Sequence, residues 1–211
     1  MLGLAIHTAS PQLGLMLAGD DNEGAPISRY QVWDLGRDVS SHLHEKMLEF
    51  IVPFSWQDFD FIAVAKGPGG FTGTRIGVVA ARTLAQQLQV PLFGISTLAA
   101  VGASRINEKE SREVAIAMAA KRAAVFGAVY APDKSGDWIA LREDKVTPIE
   151  EWEARVKQWP QPLETISIAS GEGIAESVQG VMKIAIARYQ KGDRPSWSSV
   201  LPFYGQHPVQ K

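Results

Sequence analysis

The sequence predicts a mixed-sheet α/β protein built as two lobes that pack side by side. Its 211 residues are 45% hydrophobic and 21% charged, which is enough apolar material for a substantial core. Short strand-like runs alternate with segments of helical periodicity, and the order β-β-β-α-β-α occurs once in each half. Three meandering strands followed by crossover helices are typical of mixed sheets.

Charge and cysteine content exclude several classes of protein. A formal net charge of -2 provides no global basic field, so the composition does not indicate tight binding to nucleic acid phosphates. The absence of cysteine excludes disulfides, thiolate zinc sites and a cysteine nucleophile, and fits a reducing compartment. The first ten residues lack a basic secretory region, and no run approaches the roughly 20 apolar residues of a membrane span. We therefore expect a cytoplasmic protein.

The first half has the predicted order β-β-β-α-β-α, followed by a further strand and helix. Val39, Leu43, Met47 and Phe50 repeat at helical spacing, and Pro53 ends their helix. The predicted elements are strands at 2–8, 13–17 and 30–35, a helix at 39–52, a strand at 59–65, a helix at 75–88, a strand at 91–96 and a helix at 97–106.

A polar stretch at 107–113 separates this half from the second, so we predict an N-terminal lobe of residues 1–106 and a smaller C-terminal lobe of residues 107–211. In the second half, Thr147 is predicted to N-cap the helix that includes residues 151–159, with Pro148 at the first helical position and Glu150 completing a capping box. The predicted elements are strands at 113–119, 124–130 and 137–144, a helix at 151–159, a strand at 165–170 and a helix at 175–190.

The most distinctive segment is GPGGFTGTRIG, residues 67–77, which we call the glycine loop. A glycine-rich turn between a strand and a helix is the general form of a phosphate cradle. The Walker pattern fails here because Gly73 is followed by Thr74 and Arg75, and the dinucleotide pattern fails because Thr72 replaces its third glycine. Two interpretations remain, an anion site and a rigid turn that only proline and glycine can form.

The glycine loop resembles the G-P-G-S-F-T-G-x-R-I-G signature of the bacterial TsaB (YeaZ) family, with Gly70 where the family usually has serine. Further similarity lies in LAIHTASPQLGLML, HLHEKMLEFI, GISTLAAV and, more weakly, MAAKRAAVFGAVY, and covers about the first 130 residues. The residues that carry the signature are Gly67, Pro68, Gly69, Gly70, Phe71, Thr72, Gly73 and Arg75.

The resemblance implies an actin-like (ASKHA) two-lobed α/β fold and a part in the threonylcarbamoyl modification of adenosine 37 in tRNA (t6A). It implies a non-catalytic scaffold that dimerises with the paralogous catalytic subunit TsaD, in a complex that the ATPase TsaE joins. Such a subunit meets tRNA only through the complex and has no metal, catalytic residue or cofactor of its own. Any ATP or ADP would then lie at an interface shared with TsaD.

Two residues depart from what relatives of this fold use for nucleotide chemistry. His7 ends the first strand, where nucleotide-using members have an aspartate, and Ala119 stands where the TsaB family often has another. Both changes remove oxygen ligands that magnesium prefers. The alternative function, an ATP-dependent small-molecule kinase of the same superfold, is disfavoured for this reason.

Three other polar residues are weak candidates for metal or anion binding. His42 and His44 are two residues apart, which places them about 200° apart on a helix, so they cannot chelate one metal. Arg75 is either an anion contact beside the glycine loop or the partner of an acidic side chain that fixes the loop, and we favour the second role.

A scaffold needs a docking surface, and the two helices that flank the strand at 59–65 provide the candidate. Small residues recur every four positions in the second helix, which lets a partner helix approach closely, while the first helix is more apolar than one sheet-facing stripe requires. The same helices could pair two copies of the chain, or could simply cover their own sheet. The predicted partner-binding residues are Leu43, Met47, Leu48, Phe50, Gly73, Gly77, Ala81 and Ala85, with Val52 beside them.

Overall fold

The computed structural model describes residues 1–21, 23–106, 112–169 and 173–205, which form two mixed sheets and the helices that cover them. The first half contains β1 (Leu2–His7), β2 (Gln12–Asp20), β3 (Pro26–Asp34), α1 (Val39–Ile51), β4 (Phe61–Ala65), α2 (Phe71–Leu88), β5 (Leu92–Ile95) and α3 (Thr97–Arg105). The second half contains β6 (Val114–Ala120), β7 (Ala124–Pro132), β8 (Trp138–Pro148), α4 (Ile149–Lys157), β9 (Glu164–Ile168) and α5 (Val178–Gln190).

The two sheets repeat one topology. In the first sheet the strand order is β3-β2-β1-β4-β5, with an antiparallel meander β1 to β3 and parallel pairing of β1 with β4 and of β4 with β5. In the second sheet the order is β8-β7-β6-β9, again an antiparallel meander with a parallel strand added beside its first member. The prediction of mixed sheets in both halves is confirmed.

Several predicted boundaries are wrong, and two of them bear on the predicted motifs. Helix α2 begins at Phe71 and not at residue 75, so the second half of the glycine loop is already helical. Strand β8 continues to Pro148 because it stays paired with β7 up to its end, which places Thr147 in the sheet. The buried Thr147 hydroxyl accepts a bond from Arg142 at 3.2 Å and caps nothing, while Pro148 precedes the first helical residue without a side-chain cap bond. The predicted capping box is therefore absent.

The central core lies between the two sheets, and helices α3 and α5 fill it. Helix α5 packs on β1 and β2 of the first sheet, whereas α3, from the first half, packs on β6 and β7 of the second. Each half thus contributes a helix to the core of the other. The lobe boundary predicted between residues 106 and 107 adjoins residues 107–111, which lie outside the described residues, and the division into lobes stays a prediction.

The outer faces of the sheets are covered separately. Helices α1 and α2 cover the first sheet, with Leu43 and Met47 against strand residues such as Leu15. Helix α4 covers part of the second sheet, where Trp152 lies over Gly127 at a distance that leaves no room for a side chain. None of the helices in the described ranges combines the length and hydrophobicity that a membrane span requires.

Candidate functional site

The glycine loop leaves the end of β4 and is held by two other chain segments. The carbonyl of Lys66 accepts a bond from the Phe203 N–H at 2.7 Å, and the carbonyl of Gly67 accepts one from the Thr97 N–H at 2.8 Å. Gly67 has φ of 103°, a conformation that favours glycine, and a Cβ there would overlap the Phe203 carbonyl oxygen. The turn is therefore fixed by its backbone bonds on both sides.

The next glycines pack directly against the turn between β1 and β2. A Cβ on Gly69 would overlap the carbonyl oxygen of Ala9, and a Cβ on Gly73 would overlap that of Thr8. The Gly70 N–H donates to the Ala9 carbonyl at 2.7 Å, and the Thr8 hydroxyl donates to the Gly73 carbonyl at 2.8 Å. These contacts support the rigid-turn interpretation, because the side of the loop that faces β1 is filled by protein.

The ridge of small residues in α2 needs a correction. A Cβ on Gly77 would overlap the Thr8 hydroxyl, and Ala81 and Ala85 are fully buried against the first sheet. The ridge therefore lets α2 approach its own lobe closely, and the space that we predicted for a partner helix is already occupied. The same holds in α1 for three predicted docking residues, whose side chains are buried under the helix: Leu43, Met47 and Phe50.

The exposed apolar surface lies on the opposite sides of these two helices. Leu48 and Val52 at the end of α1 are 55% and 61% exposed, and Phe71 and Val79 in α2 are 41% and 53% exposed. We call these four side chains the outer face. Of the residues predicted for docking, Leu48 and the neighbouring Val52 belong to it. Phe71 and Val79 are eight residues apart, about two helical turns, and this spacing is the sequence signal for the part of the outer face on α2.

The chain's last described residues extend the outer face. The ring of Tyr204 stacks on that of Phe71 with the centroids 4.3 Å apart, and the guanidinium of Arg82 lies 5.6 Å from the centre of the Trp197 ring. The segment after α5 therefore runs along α2 and supports the first turn of this helix.

His7 ends β1 with its side chain fully buried. Neither ring nitrogen has a hydrogen-bond partner among the described residues, and burial lowers its pKa from 6.5 to about 4. The imidazole is thus neutral at physiological pH and offers no charge to an anion or to a metal's hydration shell. Ala119 is exposed on β6, and the described parts of the chain contain no group of three His, Cys, Asp or Glu that could hold a metal ion.

The remaining candidates are on the surface. The His42 Nδ1 lies 3.0 Å from the Glu45 carboxylate on the same helix, and His44 is exposed on another side of α1. Arg75 is exposed in α2 and makes no hydrogen bond or ion pair with the part of the chain that the structure describes. The role that we favoured for Arg75, as the partner of an acidic side chain that fixes the loop, therefore has no support here.

Comparison with known proteins decides the family. The family model described as "TsaD: tRNA N6-adenosine threonylcarbamoyltransferase" matches residues 43–185. The curated proteins named "tRNA threonylcarbamoyladenosine biosynthesis protein TsaB" include those of Bacillus subtilis, 28% identical over 69% of this chain and 68% of that protein, and of Escherichia coli, 25% identical over 74% of each. This chain belongs to the TsaB (YeaZ) family. The alignments with two Buchnera aphidicola relatives span about half the length of those proteins.

A solved structure gives the fold. YeaZ from Pseudomonas aeruginosa superposes with a TM-score of 0.73 at 23% identity, over 96% of this chain and 99% of that one. The actin-like fold that the glycine loop led us to expect is therefore confirmed. Within this TsaB-family fold, the glycines of the glycine loop allow α2 to pack closely on the residues that follow β1.

Proposed function

We propose that this chain is a non-catalytic scaffold subunit for the threonylcarbamoyl modification of adenosine 37 in cytoplasmic tRNA. In this proposal it dimerises with the catalytic subunit TsaD, the ATPase TsaE joins the pair, and tRNA is met only through the complex. The relatives support the pathway, since they are named tRNA threonylcarbamoyladenosine biosynthesis proteins. A curated threonylcarbamoyltransferase from Dictyoglomus turgidum is also 34% identical over 46% of this chain.

His7 and Ala119 favour an accessory role, because His7 stands where nucleotide-using members of this fold have an aspartate and Ala119 stands where the TsaB family often has one. His7 is a buried neutral imidazole, and Ala119 has no polar atom on its side chain. Magnesium binds most strongly to carboxylate and other oxygen ligands, so neither position can help to hold a nucleotide-bound metal. A partner that supplies the chemistry is consistent with this loss.

The observation that carries the proposal is the outer face. Its four apolar side chains are more than two-fifths exposed and lie on two adjacent helices. Another apolar helix pair that covered them would remove apolar surface from water, which favours association by about 25 cal/mol per Å². A helix pair of the same fold, as in a paralogous subunit, would present a matching shape. We therefore assign TsaD binding to Leu48, Val52, Phe71 and Val79.

The test is association with TsaD from the same cell, measured by size-exclusion chromatography with light scattering. The wild-type chain should form a one-to-one complex, and the double variant Leu48→Asp with Val79→Asp should lose it, because each carboxylate would be buried without a partner. The matched control is Leu141→Asp, since Leu141 is 45% exposed on β8 in the other sheet. A complex that survives the double variant would overturn the assignment.

The same preparation distinguishes the scaffold from the kinase alternative. A kinase would hydrolyse ATP or transfer its γ-phosphoryl group in a magnesium-dependent reaction without TsaD. Such turnover by the isolated chain, lost on substitution in the glycine loop, would contradict the scaffold proposal. We expect no turnover, because the loop is packed against Thr8 and Ala9 and His7 carries no charge.

A further inference from the structure

A surface cavity of about 490 Å³ lies at the edge of the first sheet. One wall is β5, which has no neighbouring strand on its outer side in the described sheet. The other walls are the end of α5 and part of the segment from Asp193 to Val200. The residues that line it belong neither to the glycine loop nor to the outer face, so nothing proposed above accounts for the cavity.

Three cationic side chains line this cavity: Lys66, Arg188 and Arg194. The Arg188 Nε donates to Asp137 at 2.9 Å, and the Arg194 Nη1 donates to the carbonyl oxygens of Tyr189 and Asp193 at 2.8 and 2.7 Å. A guanidinium has five N–H groups, so these bonds hold both side chains in place and leave several donors. Both arginines are therefore fixed before any ligand arrives.

The main chain of β5 adds a neutral donor. The Leu92 N–H points away from β4 and donates to the Pro195 carbonyl at 3.1 Å. Because alternate residues of a strand point their N–H groups to the same side, the Gly94 N–H also points outward, and Gly94 lines the cavity. A Cβ on Gly94 would lie 2.7 Å from a Val200 methyl carbon, so glycine at this position lets Val200 pack closely on β5.

The carboxylates near the cavity offset part of its charge but not all of it. Asp193 lines it, whereas the buried Asp137 lies behind Arg188 and also accepts a bond from Lys191 at 3.3 Å. Asp144 does not line the cavity and accepts a bond from the Tyr130 hydroxyl at 2.9 Å. Burial raises the pKa of Asp144, and hydrogen bonds and the charge of Lys66 oppose that rise. The lining itself carries three positive groups and one negative group.

We propose that this cavity binds a small phosphate ester of about the size of a mononucleotide. Two fixed guanidinium groups, an ammonium and a main-chain N–H are the donors that phosphate oxygens accept, and fork-shaped arginine donors match phosphate geometry. The volume lies within the ~300–1,000 Å³ of typical small-molecule sites. The Arg194 guanidinium lies 3.6 Å above the Tyr189 ring, and its other flat face is suited to stacking on a planar group of the ester. This site is independent of the proposed function.

The test is equilibrium dialysis of labelled AMP against the full chain, without magnesium, at low and at physiological ionic strength. Lys66→Gln and Arg194→Gln should each weaken binding about tenfold, the usual effect of losing one charge-assisted hydrogen bond. Asp193→Asn should strengthen binding, because it removes the negative group of the lining. Arg75→Gln is the matched control: it removes an exposed arginine beside the glycine loop and should leave binding unchanged.

Three outcomes would overturn the inference. The first is the absence of saturable AMP binding up to about 1 mM, a very weak affinity for a built site. The second is binding that Arg75→Gln removes and Lys66→Gln does not, which would place the anion at the glycine loop. The third is displacement of AMP by an equal concentration of inorganic phosphate, which would leave no role for the rest of the ester. TsaD association of Lys66→Gln should equal that of the wild-type chain, so failure here is distinguishable from failure of the scaffold proposal.

Discussion

At the scale of single residues, the end of β1 shows what a substitution does to a site. His7 occupies a fully buried position and has no hydrogen-bond partner in the described structure, so its surroundings disfavour the protonated form. The sequence sufficed to find this departure, because a histidine stands where nucleotide-using relatives have an aspartate. It could not predict that the ring would be fully buried, because burial depends on tertiary packing.

The buried imidazole predicts how stability depends on pH. The pKa of His7 is about 4 in the folded chain against 6.5 for an unperturbed histidine. Between these values the unfolded chain binds more protons than the folded chain, so the free energy of unfolding falls as the pH is lowered from 6.5 to 4. Above pH 6.5 the stabilising contribution of the neutral ring is fully present. The loss at pH 4 and below is about 3 kcal/mol from this residue alone. Urea unfolding at several pH values measures it.

The control for this prediction is a second histidine. A His7→Leu variant should lose most of the slope between pH 4 and 6.5, whatever its stability at neutral pH, whereas His44→Leu on the exposed side of α1 should keep it. Equal slopes in the wild-type chain and in His7→Leu would mean that the ring is not sealed as the structure has it.

At the scale of elements, sequence patterns identified the helices and strands but placed some of their ends wrongly. Glycine is a poor helix former, so the run from Gly67 to Gly73 suggested a loop, whereas tertiary packing on Thr8 starts the helix at Phe71. Most of the predicted docking residues are buried, and the sequence missed this for a related reason. Helical spacing finds an apolar stripe but not which of two stripes faces the sheet, and Leu43 proved to be inside and Leu48 outside.

The first turn of α2 provides a matched pair of glycine substitutions. Gly73→Ala should lower the free energy of unfolding by about 1–3 kcal/mol, because the new methyl group would overlap the Thr8 carbonyl oxygen and push α2 outward. Gly70→Ser should be neutral or slightly stabilising. A Cβ there meets its nearest atom, the Ala9 carbonyl oxygen, at an ordinary 3.6 Å, and Gly70 is the N-cap of α2, where serine is preferred.

Thermal unfolding by circular dichroism measures both variants, and TsaD association adds a second readout. A shifted α2 would displace Phe71 and Val79, so Gly73→Ala should also weaken the complex while Gly70→Ser leaves it intact. If Gly73→Ala were as stable as the wild-type chain, the close packing of the glycine loop on β1 would be refuted.

At the scale of the whole molecule, the exchange of helices between the halves is the feature that the sequence could least predict. Element order is written along the chain, and it suggested two lobes that each close on themselves. The packing of α5 on β1 depends on contacts between residues from opposite ends of the chain. A pattern in a short window contains no information about such contacts.

This shared core predicts that the two halves unfold together. Neither sheet keeps its inner face covered without a helix from the other half, so opening one exposes the apolar surface of both. In urea, native-state hydrogen exchange of amides in β4 and in β6 should therefore report one free energy of opening. Ile184→Ala, which removes fully buried methyl groups of α5, should lower both values equally by about 2–5 kcal/mol. Ile139→Ala, at an exposed position on β8, should change neither free energy of opening. If Ile184→Ala lowered the free energy of opening of the β6 amides alone, the two halves would unfold separately and the prediction would be wrong.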